Sequence, residues 1–202
     1  MKKIRIAVFV SGGGTNLQAL LDAQEKGIIQ SGEIVLVLSD KAGAYALERA
    51  KKAGVERVVV ERNAQGKENF EETIVKILEE RKIELIVLAG FFSILSKKFT
   101  DKYAKRILNV HPSLIPSFCG KGYYGLKVHE AALSCGVKVT GATVHFVNEV
   151  PDGGEIIMQK AVEVRDGDVP ETLQRRVMEE AEWVILPAAC EKICKKMTEE
   201  KL

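Results

Sequence analysis

The chain has 202 residues, 46% of them apolar and 29% charged, the length and composition of one globular domain. A formal net charge of +2, from 30 basic and 28 acidic residues, gives no electrostatic footprint for nucleic acid. No apolar run nears the roughly 18 residues that span a bilayer, so the expectation is a cytoplasmic protein with no membrane partner.

The start, MKKIRIAVFV, has the charged head of a signal peptide. Its apolar part is too short, however, and glycines follow where a small-residue cleavage site would be needed. Ile4–Val10 is therefore read as a first strand, rich in β-branched residues. The glycine loop leads into an amphipathic helix over residues 17–26. Residues 34–38 read as a strand and 44–53 as a helix ended by Gly54. A strand at 58–60 precedes a helix at 68–81 with apolar spacing at Phe70, Ile74, Ile77 and Leu78. Leu85–Leu88 is the next strand, closed by Ala89-Gly90. Fully apolar strands alternating with helices imply a parallel sheet covered on both faces.

The second half reads differently. A strand at 107–110 runs into His111-Pro112, and a glycine- and aromatic-rich loop spans 113–125. A short helix at 128–133 precedes two long strands, 139–147 and 156–164, joined by the polar turn 148–154. A closing helix covers 171–196, with an interruption expected near Pro187. The fold expected is one α/β domain over 1–202: a parallel, nucleotide-binding half to about residue 100, then a mixed-sheet half.

Ser11-Gly12-Gly13-Gly14-Thr15-Asn16 lies between strand and helix. Glycines admit an anion to the backbone, and a helix N-terminus offers it amide hydrogens. Leu17 occupies the third glycine position of a dinucleotide fingerprint, and the P-loop ending is missing. A phosphate site is one reading; a tight turn with Thr15 or Asn16 capping the helix is the other. Asn109 and His111 are two apart at a strand's carboxyl end and project to one side. An amide donor for an oxyanion beside a titratable ring is what acyl transfer requires. Asp152, before Gly153-Gly154, either orients that histidine or simply shapes a turn. His129 and His145 read as structural. Cys119, Cys135, Cys190 and Cys194 show neither C-x-x-C nor zinc spacing, so they read as free thiols and no metal is expected.

Taken together, Ser11–Leu17, Leu88-Ala-Gly-Phe91, Ile94-Leu95, Leu108-Asn-Val-His-Pro-Ser-Leu114 and Thr143–Val147 followed by Asp152-Gly-Gly resemble the folate-dependent glycinamide ribonucleotide formyltransferases. The likeness runs from about residue 4 to 190. It implies a Rossmann-like formyltransferase fold and transfer of a formyl group from 10-formyltetrahydrofolate to glycinamide ribonucleotide in purine synthesis. It implies Asn109, His111 and Asp152 as catalytic residues. Gly13, Gly14, Thr15 and Asn16 would hold the phosphate and Glu182 the ribose. Lys67, where the family usually has Arg, and Phe92, Ser93, Ile94, Leu95 and Asn109 would meet the folate. Ser93 and the loop 117–125 depart from the family's pattern, which bears on folate affinity. The expected assembly is a monomer or homodimer. The alternative is another 10-formyltetrahydrofolate-using enzyme. A methionyl-tRNA formyltransferase should add a C-terminal domain and basic surface, and a formyltetrahydrofolate hydrolase an N-terminal regulatory domain. The expectation is that this chain carries neither. A non-catalytic sensor of a phosphorylated ligand would not need Asn109, His111 and Asp152 together.

Overall fold

The computed structural model describes residues 2–200, with residues 63–68 described by their backbone alone. Strands β1 (Ile4–Val10), β2 (Gly32–Ser39), β3 (Glu56–Val59), β4 (Leu85–Leu88), β5 (Ile107–His111), β6 (Val139–Phe146) and β7 (Ile156–Glu163) form one seven-stranded sheet. The order is β3-β2-β1-β4-β5-β6-β7. The pairs from β3 through β5 are parallel, and β5–β6 and β6–β7 are antiparallel. The expected passage from parallel to mixed sheet therefore falls at β5. Between them lie helices α1 (Thr15–Glu25), α2 (Ala46–Lys52), α3 (Arg62–Glu80), α4 (Lys97–Lys102) and α5 (Leu126–Cys135). After β7 come α6 (Pro170–Val177), a wide π-helical turn (Met178–Glu182) and α7 (Trp183–Glu199).

Alternation along the strands divides the core between two faces. Val8, Val10, Val87 and Val110 bury against Leu17 and Leu20 of α1 and Ile185, Leu186 and Ala189 of α7. Ala7, Phe9, Ile86, Leu88 and Ile107 bury against Phe70, Ile74 and Leu78 of α3 and Phe99 of α4. Strands so covered must be largely apolar, which is the pattern seen in β4 and, apart from Arg5 near its start, in β1. β1 pairs with β2 on one side and β4 on the other, so the chain reverses its direction across the sheet there. Ligands in open α/β sheets bind outside the carboxyl ends at such a reversal. Among the described residues no helix is long and apolar enough to cross a membrane.

Three elements differ from expectation. α3 begins at Arg62 rather than residue 68, because Gly66 lies inside the helix and does not end it. α4 is too short and charged for its periodicity to show; it is fixed instead by Ser96, whose hydroxyl accepts the Phe99 N–H at 3.2 Å. The closing helix is interrupted at Met178–Glu182, not at Pro187, which continues within α7. Pro187 has no N–H to give the carbonyl one turn back, a single lost bond near the start of a helix whose packed face holds it.

Candidate active site

The glycine loop sits at the reversal between β1 and β4. Ser11 N–H donates to the Gly90 carbonyl oxygen at 2.9 Å, and Ser11 Oγ accepts the Phe92 N–H at 2.9 Å. The loops that follow the two strands are thus tied together. Gly14 has φ 73°, and a Cβ there would stand 2.6 Å from the Ala46 Cβ. Both the backbone angle and the close approach of α2 require glycine. Gly12 and Gly13 have no neighbour where a Cβ would be, so the loop opens toward solvent. The Asn16 amide donates to Glu182 Oε2 at 2.7 Å. Burial pushes the Glu182 carboxyl up to about 7, against the opposing effect of the Asn16 hydrogen bond. Glu182 ends the π-helical turn, whose wide bore re-aims side chains at functional sites.

A second cluster forms where β5 ends. Asn109 lies opposite His145, and His111 opposite Thr143, across the antiparallel β5–β6 pair. Opposed residues share a face, so both rings and the amide gather on one side. The turn carrying Asp152 folds onto β6. A Cβ on Gly154 would collide with the Phe146 carbonyl oxygen, which is why Gly stands there. Asp152, at φ 56°, then reaches between the two imidazoles. Its Oδ2 is 3.4 Å from His111 Nδ1, and its Oδ1 is 3.6 Å from His145 Nε2. Gly120 N–H also donates to Oδ2, at 2.9 Å. Burial alone would raise the Asp152 carboxyl, but the His145 ring, the His111 charge and the Gly120 N–H together hold it below the usual range.

Hydrogen bonds fix the rings. His145 Nδ1 donates to the Phe146 carbonyl oxygen at 2.8 Å, and its Nε2 lies 3.2 Å from the Asn109 amide nitrogen and 3.6 Å from Asp152 Oδ1. His111 Nε2 donates to the Phe118 carbonyl oxygen at 2.8 Å. His129, on α5, is fully buried with both ring nitrogens unpartnered among the described residues. Burial first, and the His111 charge second, lower it to about 4, so it stays neutral near pH 7. Cys119 Sγ lies 3.3 Å from the Pro116 carbonyl oxygen, and burial, then the Asp152 charge, push its thiol up.

Sequence reading thus places Asn109, His111 and Asp152 together, and the structure adds His145. Only the register of β6 on β5 reveals that addition; the sequence carries no signal for it beyond parity with Thr143. In the segment expected to meet folate, Phe92 and Ile94 are 59% and 67% exposed, whereas the Leu95 side chain belongs to the core. Ser93 Oγ donates to Asp40 Oδ2 at 2.7 Å. Lys67 lies within α3, but its side chain falls outside the described residues. A separate groove of about 620 Å³ between α3 and α4, lined by Glu71, Val75, Ser96 and Phe99, contains none of these residues. Among the described residues no group of three or more His, Cys, Asp or Glu could hold a metal ion.

Residues 4–189 match the formyl transferase family. The chain is 47% identical over 188 residues to the trifunctional purine biosynthetic protein adenosine-3 of Gallus gallus, covering 93% of this chain but 18% of that protein. It is 42% identical over 188 residues to the phosphoribosylglycinamide formyltransferase of Haemophilus influenzae, covering 93% of this chain and 84% of that protein. The structure of glycinamide ribonucleotide transformylase 1 from Symbiobacterium toebii superposes with a TM-score of 0.89 at 41% identity, covering 96% of this chain and 89% of that one.

Proposed function

The chain belongs to the formyl transferase family, among the phosphoribosylglycinamide formyltransferases, and on that premise we propose that it moves the formyl group of 10-formyltetrahydrofolate to the amine of glycinamide ribonucleotide, a step of purine synthesis. The observation that carries the reading is the gathering of Asn109, His111, His145 and Asp152 at the end of β5, in a sheet whose reversal point holds the glycine loop. The chain acts as one domain, and the free thiols of Cys119, Cys135, Cys190 and Cys194 suit a reducing cytoplasm.

The ribonucleotide phosphate rests on the amides of Gly13, Gly14, Thr15 and Asn16 at the positive end of α1. Glu182 accepts from ribose hydroxyls. Asn16 Oδ1, buried and without a partner among the described residues, is a further acceptor there. The pterin lies along residues 92–95, where exposed Phe92 and Ile94 offer apolar surface and the backbone offers hydrogen bonds. Lys67 is assigned to the folate by the family resemblance alone.

The glycinamide amine attacks the formyl carbon, and the carbonyl oxygen takes up negative charge. The Asn109 amide, held beside His145 Nε2, gives a hydrogen to that oxyanion. His111, once protonated, supplies the second donor by exchanging the Phe118 carbonyl oxygen at Nε2 for the oxyanion, while ionised Asp152 stays beside Nδ1 as counter-charge. When the intermediate collapses, the bond from formyl carbon to the folate nitrogen breaks. His111 gives that nitrogen a proton, and the amine's proton returns to the His111–Asp152 pair. Tetrahydrofolate and the N-formyl ribonucleotide leave, with no covalent enzyme intermediate.

Tetrahydrofolate release, followed by absorbance with the two substrates present, tests the reading. Release that depends on glycinamide ribonucleotide supports it. Equal release in its absence would mark a hydrolase instead.

A further inference from the structure

Beside the glycine loop stands a cation that the mechanism above does not use. Arg49, on α2, donates from Nε to the Gly13 carbonyl oxygen at 2.8 Å and from Nη1 to the Gln18 side-chain oxygen at 3.1 Å. Its guanidinium lies 5.2 Å from the centroid of the Tyr45 ring. α2 is itself fixed to the loop, since Ala46 N–H donates to the Gly12 carbonyl oxygen at 3.0 Å and Gly14 admits no side chain against Ala46. The guanidinium is therefore anchored before any ligand arrives, and among the described residues Nη2 has no hydrogen-bond acceptor.

The side chains bonded to the loop give it a polarity. At Asn16 stands the buried carboxyl of Glu182, at Thr15 the Met178 sulfur, and at Gly13 the Arg49 guanidinium. Arg49 is the one cation among the described residues that bond to the loop. A phosphomonoester carries nearly two negative charges near pH 7, whereas a helix N-terminus supplies about half of one positive charge. A ribose phosphate laid along the loop matches this polarity in one direction only. Its hydroxyls go to the Glu182 end, and its phosphate to the Gly13 end.

We propose that Arg49 is a phosphate ligand, its free guanidinium edge bonding the substrate's phosphomonoester while Nε holds the Gly13 carbonyl. The inference rests on the activity proposed above and adds the residue that selects a phosphorylated substrate over its nucleoside. Arg in this place does what Lys would not, because one planar fork serves the loop and the ligand together.

The test compares glycinamide ribonucleotide with glycinamide ribonucleoside, its phosphate-free form, on wild type, Arg49→Gln and Arg49→Lys. In Arg49→Gln, kcat/KM for the ribonucleotide should fall roughly ten- to hundredfold, the range for losing a hydrogen bond to a charged group. The loss should lie in KM, with kcat kept. Arg49→Lys should recover only part of it, leaving a severalfold rise in ribonucleotide KM, because a point charge keeps the attraction but not the fork. The already low kcat/KM for the ribonucleoside should be the same in all three. Equal losses with both substrates would show that Arg49 only braces Gly13, and an unchanged ribonucleotide KM would show that it does nothing; either overturns the inference. Should Arg49→Gln lose its melting transition, Arg49→Lys carries the test through a severalfold rise in ribonucleotide KM alone. A wild type without formyl transfer refutes the proposed activity separately. Calorimetric titration with the ribonucleotide then decides the phosphate contact, with binding to Arg49→Lys expected to be severalfold weaker than to wild type. Identical binding to the two proteins, or none to wild type, overturns it.

Discussion

Asp152 stands between two imidazoles, so its effect on each cannot be isolated from the other. If His111 and Asp152 act as one proton-handling unit, their losses should not multiply. His111→Ala should lower kcat roughly 10²–10⁴-fold, the range of general acid–base help. Asp152→Asn should also lower kcat, and the double variant should cost far less than the product of the singles. Steady-state kinetics of all three decide this, and fully multiplicative losses would reduce Asp152 to a turn residue. Glu182 makes a separate claim about pH. Between its ordinary value of 4.5 and about 7, the folded protein holds a proton that the unfolded chain has lost. Stability should therefore fall as pH rises through that window, by about 3 kcal/mol from this group. Glu182→Gln can still accept from Asn16 but does not titrate. Its melting temperature should rise relative to wild type between about pH 5 and pH 8; a constant difference would contradict the burial argument. Cys119 lies close to Asp152 in charge terms but keeps its proton. Cys119→Ser should retain most of kcat, and a trapped formyl-cysteine would show that the amine is not the direct nucleophile.

At the level of elements, the loop between β1 and α1 carries the nucleotide claim. Gly14→Ala meets both a left-handed backbone angle and the Ala46 side chain, so the loop must move to accept it. Thr15→Asp instead leaves the loop in place and sets a carboxylate against the phosphate. Both should raise the ribonucleotide KM much more than the folate KM. Equal rises in the two would dissociate the loop from the nucleotide. Much at this scale was legible. Apolar runs bounded by glycine marked β1 and β4 to the residue, and the two-residue step from Asn109 to His111 on an extended chain already implied a shared side. What stayed hidden depends on contacts distant in sequence. α4 is one and a half turns long and owes its place to Phe99 packing beneath the sheet and to Glu71, which accepts from the Ser96 backbone N–H and hydroxyl. The π-helical turn leaves no periodic mark, because one wide turn shifts the pattern by less than a residue's pitch, and Pro187 drew the expected break instead. His145 stayed hidden for the same reason: it sits 36 residues from Asn109, and only strand register opposes them.

For the whole molecule, the sheet is what joins two sites that the chain keeps apart. β1 and β4 present the glycine loop and residues 90–95 at one set of carboxyl ends, and β5, next to β4, presents Asn109 and His111 at the same edge. The antiparallel β6–β7 extension then supplies the Asp152 turn. On the reading proposed above, such an arrangement predicts transfer between two bound molecules rather than hydrolysis of one, because the ribonucleotide would take the β1 end and the folate the neighbouring β4 end, with the acid–base pair next in line at β5. The most direct measurement follows the carbon itself. The protein is mixed with 10-formyltetrahydrofolate carrying a ¹³C formyl group, together with glycinamide ribonucleotide, and the labelled products are resolved by NMR. The account predicts one labelled N-formyl ribonucleotide for each tetrahydrofolate released, and no release when the ribonucleotide is withheld. Label appearing as free formate, with or without the ribonucleotide, would contradict it.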